Sequence, residues 1–235
     1  MRIGILKADS VLPSLSPTFG EYTDMFPAVL RRADPDLRFV SYDVEHGELP
    51  ERIDACDGYV ITGSRQSVYD DLPWIRALEE LTVRLVESRT KLIAVCFGHQ
   101  LVAHALGGRT APAERGWTTG VQRCRIDTPF PWADSTASEV RLIHSHKDQV
   151  LELPSGAERV GGNEACPNAF YRIDRHVMSC QGHPEFSHAY ARALYRARRE
   201  ALGEAEYARA DASLVEATDR LEVARWITTF LRDRG

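Results

Sequence analysis

Residues Lys91–Gly108 read KLIAVCFGHQLVAHALGG, and this stretch decides the fold. Leu92–Val95 is a short apolar run, the pattern of a buried strand. Cys96 follows with no loop between. Gly98–Leu106 then has helical spacing, and Gly107-Gly108 is a helix stop. A strand that runs into a cysteine and straight on into a helix predicts a nucleophile elbow, a sharp turn that lifts a reactive atom above the sheet. Gly98 suits a turn that brings backbone close to other groups. A thiol at a helix N-terminus meets the positive end of the dipole, which favours the thiolate, and the Phe97 amide would point where an oxyanion could form. Free cysteines are usually buried and inert, but a core cysteine has no need of that turn.

Strand and helix alternate upstream of the elbow. Arg2–Ala8, Leu37–Tyr42 and Gly58–Ile61 read as strands, the last ending at Thr62-Gly63-Ser64; Gly20–Arg32 and Leu72–Glu87 read as helices. Such βαβ units imply a mostly parallel sheet with helices on both faces. Downstream the pattern becomes short strands with turns, at Val121–Asp127, Glu139–His144, Glu158–Gly161, Ala169–Asp174 and His176–Gln181, an antiparallel portion. From His188 the chain turns helical again. A charged segment over Arg196–Ala212 reads as one solvated helix, and Glu222–Leu231 carries Val223, Trp226, Ile227 and Phe230 on one face. With no repeats or linkers, residues 1–235 read as a single α/β domain.

Composition excludes several classes. The chain is 43% hydrophobic and 27% charged, with a net charge of −5, so no basic field gathers nucleic acid or anionic membrane. No apolar run approaches the ~20 residues that span a bilayer, and the N-terminal stretch is too short for a signal peptide. A cytoplasmic protein is expected. The five cysteines are widely spaced and odd in number, against a disulfide framework or a cysteine zinc cluster.

A thiolate nucleophile in acyl transfer needs an imidazole to protonate the leaving amine, and the imidazole needs an acceptor to fix its tautomer. Gln181-Gly182-His183-Pro184-Glu185-Phe186 follows a strand, and His and Glu two apart on extended backbone point the same way.

Together Cys96-Phe97-Gly98-His99-Gln100 and Gln181-Gly182-His183-Pro184-Glu185 resemble the C-x-G-x-Q elbow and the H-P-E signature of the class I glutamine amidotransferases, in the family's order and at about its spacing. The likeness is strongest to stand-alone members of the GMP-synthase-like and γ-glutamyl peptidase types. The resemblance implies a flavodoxin-like fold and a triad of Cys96, His183 and Glu185. It implies oxyanion donors at Gly63, Ser64 and Phe97, although this chain has T-G-S where many members have a Gly-rich triplet. It also implies glutamyl contacts from Gln100 and, through His144-Ser145-His146-Lys147-Asp148, from Ser145 and His146; Glu114, Trp117 and Thr118 resemble a pocket-edge loop. A metal reading of His144 and His146 with His99 or His104 is a weak ligand set. No metal or cofactor is expected.

Four functions stay open: hydrolysis of a small γ-glutamyl substrate, a glutaminase subunit feeding ammonia to a synthetase partner, a non-catalytic binding or regulatory protein, and a different cysteine hydrolase on a flavodoxin-like fold. No phosphate loop of the G-x-x-x-x-G-K-[ST] kind is present, so an ATP-using step is not expected of this chain.

Overall fold

A computed structural model describes residues 1–133 and 137–233. Nine strands form one sheet. Five are parallel, in the order β2 (Arg38–Asp43), β1 (Arg2–Lys7), β3 (Gly58–Ile61), β4 (Lys91–Val95), β11 (Val177–Cys180). The sheet continues antiparallel through β10 (Phe170–Ile173), β9 (Ala157–Gly162), β6 (Thr118–Ile126) and β7 (Glu139–His146). The expected flavodoxin-like architecture is present, with an antiparallel part four strands wide.

Alternation along the parallel strands builds a core on each face, because successive side chains point to opposite sides. Ile3, Ile5, Val60, Ile93, Val95 and Met178 join one cluster with α2 (Tyr22–Leu30), α5 (His188–Ala197) and α8 (Arg220–Arg232). Leu6, Tyr59, Ile61, Leu92, Ala94 and Val177 join the other with α3 (Pro73–Glu87) and α4 (Phe97–Ala105). Among the described residues no helix is long and apolar enough to cross a membrane.

Several boundaries differ from the sequence reading. The helix after Cys96 begins at Phe97, one residue early, so Cys96 itself is the N-cap. Strands β6 and β7 are longer than expected, and β7 reaches His146. A second sheet joins β5 (Arg109–Pro112) to β8 (Asp148–Glu152), stretches to which the sequence reading assigned no strand; each is short and finds its partner far away in sequence. A four-residue helix, α1 (Ser16–Phe19), was also unforeseen. The charged segment Arg196–Ala212 is not one helix. It divides among the end of α5, α6 (Arg199–Leu202) and α7 (Glu204–Ser213), because Arg198 leaves helical geometry and Gly203 adopts φ 77°.

Candidate active site

Cys96 sits where β4 gives way to α4. Its backbone is in a sparsely populated region, φ 54° and ψ −103°, which a β-carbon disfavours. The neighbouring structure over-determines the turn. The Cys96 amide donates to the Cys180 carbonyl at 3.0 Å, and its carbonyl accepts from the Gln100 amide at 3.0 Å. Gly98 lets α4 close on β3: a Cβ there would lie 2.7 Å from both Ile61 Cβ and Ile61 O. Strain of this sort is typical of functional sites.

His183 is brought to Cys96 by β11, which lies beside β4, and by an antiparallel bridge from β7, in which the His183 amide donates to Ile143 O at 2.8 Å. His183 Nδ1 meets Glu185 Oε1 at 2.7 Å, with both side chains buried. Nε2 is thereby left free of Glu185 and available to Cys96, which lies beside the ring. Burial pushes the His183 imidazole towards its neutral form, but the charges of Glu185 and Cys96 and its hydrogen bonds to them outweigh this and raise its pKa to about 10. The Phe186 ring lies flat against the imidazole, 3.9 Å between centroids and 9° between planes. Arg220 donates from Nε to Pro184 O at 3.0 Å and from Nη2 to Glu185 O at 3.1 Å, fixing the backbone of the turn.

The loop after β3 closes over the pair. A Cβ on Gly63 would lie 3.1 Å from His183 Cε1 and 3.5 Å from Cys96 Cβ. Among the described residues, no acceptor takes the amides of Gly63, Ser64 and Phe97. Buried Asp9 holds this loop, accepting from the Arg65 amide at 2.8 Å and from Arg65 Nη2 at 2.5 Å, while Thr62 Oγ1 accepts from the Ala8 amide at 3.0 Å.

Beside Cys96 opens a cavity of about 770 Å³, and Ser64, Gln100, Ser145 and His146 all line it. Gln100 donates both amide protons inward, to Asp148 O at 2.7 Å and Gln181 Oε1 at 3.1 Å, which leaves its carbonyl oxygen as the group able to serve a ligand. His146 Nδ1 donates to the Asp148 carbonyl at 2.9 Å, which can only accept. His146 Nε2 must then accept from His144 Nδ1–H at 3.1 Å. Both rings are kept neutral chiefly by burial, which drops His146 to about 3 and His144 well below the usual histidine range. This chain leaves His144 Nε2 unpartnered against Gly182, where a Cβ would sit 2.7 Å from it. The glycine of Q-G-H-P-E is therefore a close-approach requirement. His146 shapes the wall with both nitrogens already engaged.

Of the pocket-edge residues, Trp117 lines the cavity, Glu114 is exposed and does not, and Thr118 is buried at the start of β6. Sequence reasoning missed Arg65, Arg198 and Glu200 on the walls, and gave Lys147 no role of its own within the segment it placed there. It also missed Phe186, Asp9 and Arg220, which hold the site from behind. Among the described residues no group of three or more His, Cys, Asp or Glu is arranged to hold a metal ion; His99 spends Nδ1 on Ser179 Oγ at 2.7 Å.

A cysteine elbow on an α/β sheet, facing a buried His–Glu pair, defines the class of protein. The family model for glutamine amidotransferase class-I matches residues 19–198, and the chain belongs to that family. Its relatives include γ-glutamyl peptidase 4 of Arabidopsis thaliana, 31% identical over 177 residues that span 72% of this chain and 70% of that protein. GMP synthase [glutamine-hydrolyzing] of Streptococcus pneumoniae is 31% identical over 134 residues, 56% of this chain but 25% of the synthase. A glutamine amidotransferase of Thermotoga maritima has the same fold, with a TM-score of 0.77 at 18% identity over 100% of this chain and 97% of that one. Membership and these relatives make the chain a hydrolase of the amidotransferase type.

Proposed function

We propose that the protein hydrolyses the γ-glutamyl amide bond of a small γ-glutamyl compound through a thioester on Cys96. The observation that carries the reading is the buried His183–Glu185 pair set beside Cys96, which itself lines the cavity. The Cys96 thiolate adds to the γ-carbonyl carbon, and the amides of Gly63, Ser64 and Phe97 take the oxyanion. His183 gives its Nε2 proton to the amide nitrogen, the C–N bond breaks, and the amine leaves. Water then adds to the thioester carbon and passes a proton to His183. The C–S bond breaks, releasing glutamate and restoring the thiolate–imidazolium pair. Glu185 keeps Nδ1 protonated and Nε2 aimed throughout.

Gln100 and Ser145 contact the glutamyl unit in this reading, with His146 as the neutral wall behind them. A cavity of about 770 Å³ belongs to the ~300–1,000 Å³ class that holds drug-sized ligands. That leaves room for a γ-glutamyl compound with a leaving group larger than ammonia, and the likeness to γ-glutamyl peptidase 4 over 70% of its length supports this reading over a glutaminase subunit that serves a synthetase. In this reading residues 1–235 act as one catalytic unit in the cytoplasm.

The test is glutamate release from glutamine and from γ-glutamyl amides and peptides, beside Cys96→Ala. Turnover of a γ-glutamyl peptide or amide that exceeds turnover of glutamine and vanishes in the variant is expected. Equal activity in Cys96→Ala would overturn the assignment, and efficient use of glutamine alone would favour the glutaminase subunit.

A further inference from the structure

The cavity carries a charge pattern that the chemistry at Cys96 does not use. Three cations line it, Arg65, Lys147 and Arg198, against two carboxylates, Asp148 and Glu200. Arg65 is neutralised by Asp9. Lys147 sits over the Trp117 ring, 5.6 Å from its centroid, and no carboxylate pairs with it among the described residues. Arg198 is half-buried where α5 meets α6. Its Nη1 donates to Ser145 Oγ at 3.1 Å, and it too has no carboxylate partner among the described residues. Its neighbours on the protein side, Tyr22, Tyr190 and Tyr195, are phenols that burial keeps neutral well past physiological pH. They offer polar surroundings without a counter-charge.

A guanidinium is a planar fork of five donors that matches a carboxylate two bonds at a time. Arg198 is steadied by one bond to Ser145, opens onto the cavity and lacks an ion-pair partner. A flexible surface arginine would have no tether, and a structural one would have its carboxylate. We propose that Arg198 is a specificity-determining residue that takes a carboxylate of the substrate, with the Ser145 hydroxyl holding the fork in place. The inference rests on the γ-glutamyl reading and adds the group that selects among such compounds. Two carboxylates qualify: the α-carboxylate of the glutamyl unit, or a carboxylate on the leaving amine.

The experiment measures binding, so it does not depend on turnover. Cys96→Ala protein, alone and combined with Arg198→Gln or Arg198→Lys, is titrated calorimetrically with four probes. γ-Glutamylglycine has both carboxylates. γ-Glutamyl ethylamide has only the α-carboxylate. N-(4-Aminobutanoyl)glycine has only the leaving-group carboxylate, and 4-aminobutanamide has neither. A charge-assisted bond to a carboxylate predicts that Arg198→Gln weakens γ-glutamylglycine roughly 10- to 100-fold. Arg198→Lys keeps the charge without the fork and falls between. Affinity for 4-aminobutanamide stays unchanged. The penalty follows γ-glutamyl ethylamide if the α-carboxylate is the partner, and N-(4-aminobutanoyl)glycine if the distal one is. Equal penalties on all four probes, no penalty on any, or no detectable binding of any carboxylate-bearing probe to the Arg198-containing protein would overturn the inference. Binding with the expected pattern but no turnover by the unmutated enzyme would instead strike at the hydrolase reading.

Discussion

Replacing Glu185 by glutamine removes a charge from the site while keeping its shape. A Gln Oε1 can still accept from His183 Nδ1, now 2.7 Å from Glu185 Oε1, so ring orientation survives. What goes is the carboxylate that offsets burial and, with Cys96, holds His183 protonated to about pH 10. A hydrogen bond to a charged group contributes roughly 1.5–3 kcal/mol, against roughly 0.5–1.5 kcal/mol for a neutral one, and a charge pair about 4 Å apart contributes about 4 kcal/mol at an effective dielectric of about 20. Taking ~3 kcal/mol as the loss, the imidazolium gives up its proton about two pH units earlier. The sign follows from the raised value: imidazolium is the form that protonates the leaving amine, so activity falls as pH rises through the His183 titration. We expect the alkaline limb of kcat/KM near pH 10 for the parent and near about pH 8 for Glu185→Gln, so that the loss of turnover is small at neutral pH and grows to ~10-fold at about pH 9. The assay is glutamate release from about pH 6 to about pH 11, beside iodoacetamide alkylation of Cys96 over the same range. An unmoved alkaline limb with full turnover would refute the claim that Glu185 sets the charge of His183.

Three further perturbations probe the scaffold. Gly98→Ala drives a Cβ to 2.7 Å from Ile61 backbone and side chain, which should cost ~1–3 kcal/mol of stability and misplace Cys96; an unchanged denaturation midpoint would contradict the close approach of α4 to β3. Phe186→Leu removes the ring stacked on His183 and with it ~0.5–2 kcal/mol of imidazolium stabilisation, so the alkaline limb should move to lower pH, whereas Phe186→Tyr should restore it; identical profiles for the two variants would discount the stack. Asp34, held below the usual carboxylate range mainly by its hydrogen bond from Arg232, supports α8 in its ionised form. Asp34→Asn should cost ~1 kcal/mol at neutral pH, a difference that fades as pH falls below about 4; a cost that persists undiminished at acid pH would assign Asp34 a role other than its charge.

The parallel half of the fold was legible because buried strands and amphipathic helices write their period into neighbouring residues, as in Leu92–Val95 and Gly58–Ile61. Cys96, His183 and Glu185 were legible as candidates because their turns constrain the flanking residues, so that Gly98 and Gly182 stand beside them as signatures. The strands β5 and β8 were not. Their pairing joins residues some forty apart, and neither RTAP nor DQVLE alternates enough to be seen alone. The break at Arg198 was hidden within a uniformly charged run, and the meaning of that arginine depends on Ser145, 53 residues away. Phe186 was written beside the H-P-E signature, but only the tertiary structure lays its ring on the imidazole.

The claim on which the rest depends is the thioester at Cys96. Protein mixed with γ-glutamylglycine, quenched in acid within the first turnovers and digested at low pH, should show a glutamyl group added to the peptide that holds Cys96. That adduct should accumulate further where deacylation is slowed in Glu185→Gln, and be absent from Cys96→Ala. Glutamate release without any adduct on Cys96, or an adduct on another residue, would contradict the account.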